Sequence, residues 1–203
     1  MIWVRYAAPF TVFALTSLVQ AMVGGGLAVW SYALRTFLTG AAVVLCFRGH
    51  WREIEGKPGP MAVMIGLLAA VLWVPLVRVS ASQTPAVFQG WFFVSVKLLG
   101  ACVVAPLAEE IFFRSFLMRV LIRNDFWNVR LGTYGPLAFW GALAAFAAMH
   151  PVDEWGAAAL AGLLYGAYLV RTKDLTGCVV AHATTNLALA AYVILSARWE
   201  LWS

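Results

Sequence analysis

Charge is what this chain lacks most. Only 11% of its 203 residues are Asp, Glu, Lys or Arg, against 63% hydrophobic. A water-soluble domain of that balance would carry more apolar surface than it could bury, so the sequence calls for lipid. Cysteine is as scarce: Cys46, Cys102 and Cys178 stand in apolar stretches without CxxC spacing. An odd number cannot close a disulfide framework, and the three read as small buried hydrophobes. The net charge of +5 comes from basic residues scattered singly rather than gathered in a stripe with aromatic platforms, which argues against a nucleic-acid partner. HExxH is missing, and with it the helix-borne pair of zinc ligands. GxSxG is missing too, and Asp125, Asp153 and Asp174 all fall in loops, so neither a serine nucleophile nor an intramembrane aspartyl pair is on offer. No internal repeat or low-complexity tract is evident.

What is present is apolar runs, at residues 7–23, 27–47, 61–77, 87–107, 134–149, 155–170 and 175–197. A bilayer core takes about 20 apolar residues per helix. The expectation is therefore an all-α, polytopic transmembrane helix bundle of about seven to eight spans, a single transmembrane domain over residues 1–203. The eighth span would be the apolar stretch from Glu109 to Arg123, and Pro106 is placed to kink or break the helix before it. The first run lacks a basic leader and a small-x-small cleavage site, and reads as a retained first span. Gly24-Gly25-Gly26 reads as a tight turn. Gly162 and Gly166, with Ala158 a turn earlier, suit close helix packing. With the N-terminus cytoplasmic, Arg48, Arg52, Lys57, Arg119, Arg123, Arg130, Arg171 and Lys173 fall inside, while Arg78, Asp153, Glu154 and Arg198 fall outside. That is the positive-inside asymmetry expected of a plasma-membrane protein.

Ionisable groups in a span cost about 3 kcal/mol or more at the bilayer centre, so those retained call for a reason. Glu109, Glu110 and Arg114 stand in AEEIFFR, His150 in FAAMH, and His182 with Asn186 in HATTN. Glu110 and Arg114 are spaced for a helical ion pair, while Glu109 points about 100° away and is left for a cavity. His182 and Asn186, also four apart, put an imidazole and a carboxamide on one helical face. Each feature alone has a plainer reading. AEEIFFR is also an ordinary helix entry at a membrane surface, HxxxN also glues helices together, and His150 before Pro151 is also an interfacial histidine. Together they supply a carboxylate, an imidazole and an amide donor, which suits activation of water and stabilisation of an oxyanion.

The set resembles EExxxR, FxxxH and HxxxN, the three motifs of the CAAX protease and bacteriocin-processing family, the group of the type II prenyl-protein endopeptidases. It is similar also to the small bacterial subgroup found alongside exosortase systems. The resemblance covers a motif-bearing core at residues 87–192. It implies an intramembrane glutamic-type endopeptidase with no cofactor and no metal, acting on a membrane-associated peptide or protein in the lipid bilayer. It implies Glu109 as general base, His150 as its partner in activating water, and His182 with Asn186 as the oxyanion hole. Glu110, Arg114 and Phe146 would support them, and a bacterial inner membrane would house the protein.

Three rival readings remain: a zinc protease, a small transporter with Arg35 and Lys97 as further charges on a pathway, and an idle scaffold or immunity protein on the same fold. One conflict is internal. On these boundaries Glu109 lies near the cytoplasmic end of its helix and His150 near the opposite face, too far apart to share a water. A longer Glu helix, running through Arg123, or an eighth span would bring Glu109 nearer mid-depth.

Overall fold

A computed structural model describes residues 2–22, 27–77 and 90–199; the glycine turn at 24–26 and Arg78 lie outside them. The described chain is all-α, without a strand. Its helices are α1 (Ile2–Met22), α2 (Ala28–Cys46), α3 (Pro60–Leu76), α4 (Trp91–Val120), α5 (Pro136–Ala148), α6 (Trp155–Thr172) and α7 (Leu175–Ser196). Pro60 and Pro136 open α3 and α5 at the first turn, where a missing N–H costs nothing. Lys173, in the left-handed region at φ 61°, ends α6 and turns the chain into α7.

α1, α2, α4 and α7 are long and apolar enough to cross a membrane, while α3 and α5 are shorter apolar helices. α1 pairs with α2, α3 lies between α6 and α7, and α4 runs through the middle against α2, α5 and α7. Among the close approaches that need glycine, two set the helices around α4 and α7. A Cβ on Gly66 would sit 2.4 Å from the Ala181 carbonyl, where α3 meets α7, and one on Gly100 would sit 2.6 Å from Thr36 Oγ1, where α2 meets α4. Gly162 and Gly166 lie against Phe146 and Phe139, the close α5–α6 contact their spacing implies.

The stretch through Arg119 belongs to α4, and no eighth helix separates from it among the described residues. Pro106 does not break this helix. Two π-helical segments, Gly100–Val104 and Ile111–Leu117, bracket an α-helical turn of six residues, Ala105–Glu110. The first segment lies just ahead of Pro106, and the Ala105 N–H there reaches five residues back to the Gly100 carbonyl. Widening the turn at that point relieves the clash a proline ring makes with the carbonyl four residues earlier, so the helix continues.

Continuity settles the depth conflict. At 1.5 Å per residue α4 is about 45 Å long, against roughly 30 Å of hydrocarbon, which puts Glu109 about 27 Å from its start and well inside the core. α5 is the opposite case: its 13 residues rise only about 20 Å, short of the roughly 30 Å of hydrocarbon, and His150 follows just past its end.

The C-terminal end of α4 is clamped from the α2–α3 connection. Glu53, on a 3-10 turn at Trp51–Ile54, accepts hydrogen bonds from Tyr6 Oη at 2.7 Å, from Ser115 Oγ, and from Arg119 Nη2 at 3.0 Å.

Candidate active site

Glu109, His150, His182 and Asn186 come from α4, the end of α5 and α7, and they line one cavity of about 200 Å³ with Trp73, Lys97 and Tyr165. The two adjacent glutamates have separate surroundings. Glu110 is fully buried, its Oε2 3.1 Å from Arg114 Nε and its Oε1 2.9 Å from His182 Nδ1. Glu109 borders the cavity and has no ion pair or hydrogen bond to another side chain among the described residues. The Arg114 guanidinium, itself 2% exposed, lies 4.4 Å from the centroid of the Phe146 ring, which offers a π face in place of solvent.

The two histidines are held by different kinds of acceptor. His150 Nδ1 lies 3.0 Å from the Phe146 carbonyl. A carbonyl only accepts, so that nitrogen carries the hydrogen, and in the neutral ring Nε2 is left as an acceptor. The ring packs on Phe146 at 4.9 Å and on Trp73 at 5.8 Å, and Trp155 Nε1 donates to the His150 carbonyl at 2.9 Å. His182 Nδ1 lies 2.9 Å from Glu110 Oε1, and against a carboxylate, which only accepts, that nitrogen carries the hydrogen. Its ring stacks on Tyr165 at 5.2 Å, and Tyr165 Oη donates to Thr185, which bonds the Gly66 carbonyl.

Asn186 Nδ2 donates to the Ala101 carbonyl at 2.7 Å. That acceptor exists because of the π segment. The Ala105 N–H has gone to Gly100, and the next donor along, Pro106, has no N–H. Asn186 thus satisfies a carbonyl that the helix cannot. An amide nitrogen carries two hydrogens, so one remains.

Residues 89–188, about half of the chain, match the family described as Type II CAAX prenyl endopeptidase Rce1-like. The chain belongs to this family. It is a membrane protein with a protease-type hydrolase fold, and AEEIFFR, FAAMH and HATTN all lie within the matched span. A search of curated proteins and of solved structures returns no match.

Around the CAAX-protease motifs the structure adds residues that carry no motif. Tyr165, on α6, fixes the plane of His182, and Trp73, on α3, backs His150. Neither has a signal in the sequence, because an aromatic in an apolar helix reads as lipid-facing or core. Lys97 and Glu154 stand at the cavity with them, and of these only Lys97 is marked as an intramembrane charge. Glu154 lies in the loop after Pro151; burial and the adjacent Asp153 raise its carboxyl above the usual carboxylate range, and Lys97 pulls it back. Among the described residues no group of three or more His, Cys, Asp or Glu side chains is arranged to hold a metal ion.

Proposed function

We propose that the chain is a glutamic-type intramembrane endopeptidase that hydrolyses a peptide bond of a membrane-associated substrate with a water activated by Glu109. The observation that carries this reading is the division of the polar groups around one cavity. Glu109, His150, His182 and Asn186 line it. Nδ1 of each histidine and one Asn186 hydrogen are taken up by Phe146, Glu110 and Ala101. In the proposed mechanism Glu109 and His150 Nε2 act as acceptors, and His182 Nε2 and the second Asn186 hydrogen as donors.

The water gives a proton to Glu109 while its oxygen attacks the scissile carbonyl carbon, with His150 Nε2 accepting its other hydrogen bond. The π electrons of the carbonyl move onto oxygen, which His182 and Asn186 stabilise. When the tetrahedral intermediate collapses, the C–N bond breaks and Glu109 returns its proton to the leaving amine. No acyl-enzyme forms, because the attacking group is water. Oxyanion donors fixed in place beforehand need no reorganisation as charge develops, which is where such sites draw most of their advantage.

Glu110 and Arg114 support this set from below. The carboxylate orients His182, and Arg114 supplies the counter-charge that a carboxylate needs in a fully buried place. The asymmetry of loop charge supports an N-terminus on the cytoplasmic side of a bacterial inner membrane.

Purified protein in detergent, given a fluorogenic membrane-associated peptide with and without a strong chelator, tests the reading. The expected result is cleavage at an internal bond that chelator, serine-directed and cysteine-directed reagents leave unchanged. Loss of activity on chelation with recovery on adding zinc would overturn the metal-free mechanism, and no cleavage of any peptide would leave the chain an idle member of its fold.

A further inference from the structure

A second cavity, of about 530 Å³, meets the first at Glu109 and His150. Its far wall is one face of α1, with Phe10, Phe13, Ser17 and Gln20, and Arg35 of α2 closes it beside Met149 and Pro151. Most of this wall precedes the residues that the family match covers. A cavity of this size suits a short run of side chains, and its position continuous with the catalytic pair makes it the obvious path for one flank of a bound peptide.

Arg35 is what the apolar wall does not explain. It lies within a span, where an arginine is costly unless something pairs with it. No carboxylate of the described residues lies within ion-pair distance of it. Its Nη1 donates to Ser17 Oγ at 3.1 Å, and the guanidinium carbon lies 4.3 Å from the centroid of the Tyr32 ring and 5.2 Å from that of Phe13. Three contacts thus fix the direction of a planar five-donor fork and leave its charge without a carboxylate among the described residues. Gln20 adds an independent sign in the same cavity: its Oε1 is buried and without a hydrogen-bond partner among the described residues. An unmet acceptor beside an anion-seeking fork fits a peptide, whose backbone N–H would supply the one and a carboxylate the other.

We propose that the α1–α2 cavity receives the substrate on one flank of the scissile bond and that Arg35 holds a carboxylate there. The carboxylate is either an acidic side chain or the α-carboxylate of a nearby chain end. This rests on the endopeptidase reading above and adds a charge specificity to it.

The test is a set of peptides with Glu, Gln or Lys at successive positions on each side of the cleaved bond, each with a free or an amidated C-terminus, in neutral-lipid and in anionic-lipid vesicles. The wild-type protein should show kcat/KM about tenfold or more higher for the carboxylate at one position or at the free terminus than for its neutral isostere. Which series shows the step tells side chain from chain end. Arg35→Gln should lose the preference, Arg35→Lys keep part of it, and Arg35→Glu favour Lys instead.

Cleavage by the wild type with no charge preference at any position overturns the carboxylate site and leaves the endopeptidase reading standing. The carboxylate site falls equally if the preference survives in Arg35→Gln, or if Arg35 variants change only the response to anionic lipid, which would make Arg35 a phosphate anchor. No cleavage of any peptide by the wild type removes both readings. The wild-type series decides the matter even if a variant fails to fold.

Discussion

Replacing each of the two adjacent glutamates by glutamine should give opposite phenotypes. Glu110 is fully buried between Arg114 and His182. Its glutamine would still accept from His182 through the carbonyl oxygen, but its NH2 would face Arg114 Nε, donor against donor. Arg114 would then be a cation 2% exposed without a counter-charge. Breaking a buried pair from one side costs about 3–5 kcal/mol, which for a chain of this size is a fall of roughly 6–20 °C in Tm. Glu109 is 8% exposed and has no ion-pair or hydrogen-bond partner among the described residues to abandon, so Glu109→Gln should move stability by less than about 1 kcal/mol. It should instead lower turnover about a hundredfold to ten-thousandfold, the contribution of a positioned base.

Tm from intrinsic tryptophan fluorescence and the cleavage rate per folded molecule, measured on the same purified samples, give both coordinates. The expected pattern is Glu109→Gln folded and inactive, and Glu110→Gln unstable. If Glu110→Gln holds its Tm and loses turnover while Glu109→Gln keeps its rate, base and support are exchanged and the assignment is wrong.

Asn186→Ala should lower kcat about a hundredfold with little change in KM, and should also cost about 1–3 kcal/mol because the Ala101 carbonyl is stranded; an unchanged kcat with a lowered Tm would reduce Asn186 to a helix tether. Gly66→Ala should cost about 1–3 kcal/mol, since its Cβ must push α7 away from α3. The same variant should lower kcat because α7 carries His182 and Asn186, and a full rate in the folded fraction would show that α7 is not registered through Gly66. Single cysteines placed in the loop around Arg48 to Lys57 and in the turn at Lys173 should resist impermeant thiol reagents added outside intact cells, and efficient labelling of either would reverse the orientation.

Helix content and four polar residues of the cavity were legible in the sequence, because intramembrane polar groups are rare and these four converge. The path of α4 was not. Pro106 reads as a break by local rules, and only the π segment ahead of it, a tertiary accommodation against Thr36 and Tyr32 at Gly100, lets the helix continue. The assignment of Glu110 to Arg114 followed from their spacing, since residues four apart on a helix meet. That His182 joins the same pair did not, because the contact links residues 72 positions apart. Glu53 and Arg119 stayed unmarked for a related reason: each is an ordinary loop or interfacial charge until folding brings them together.

Asn186 bonds between helices and keeps a hydrogen for the other role its sequence left open. Hydrogen bonding between helices and donation to an oxyanion were alternatives so long as the amide was counted as one donor. The structure uses one hydrogen for the Ala101 carbonyl, and that bond fixes where the other points. The acceptor is available only because a π segment and a proline together withhold both backbone donors from it. α7 is consequently tethered to α4 twice, by Asn186 to Ala101 and by His182 to Glu110, on either side of the turn that carries Glu109. Two tethers a helical turn apart on α7 hold it against rotation about its axis, so His182 and Asn186 keep their orientation toward α4. In this chain the irregularity of α4 is the device by which one helix positions both the carboxylate and the groups opposite it.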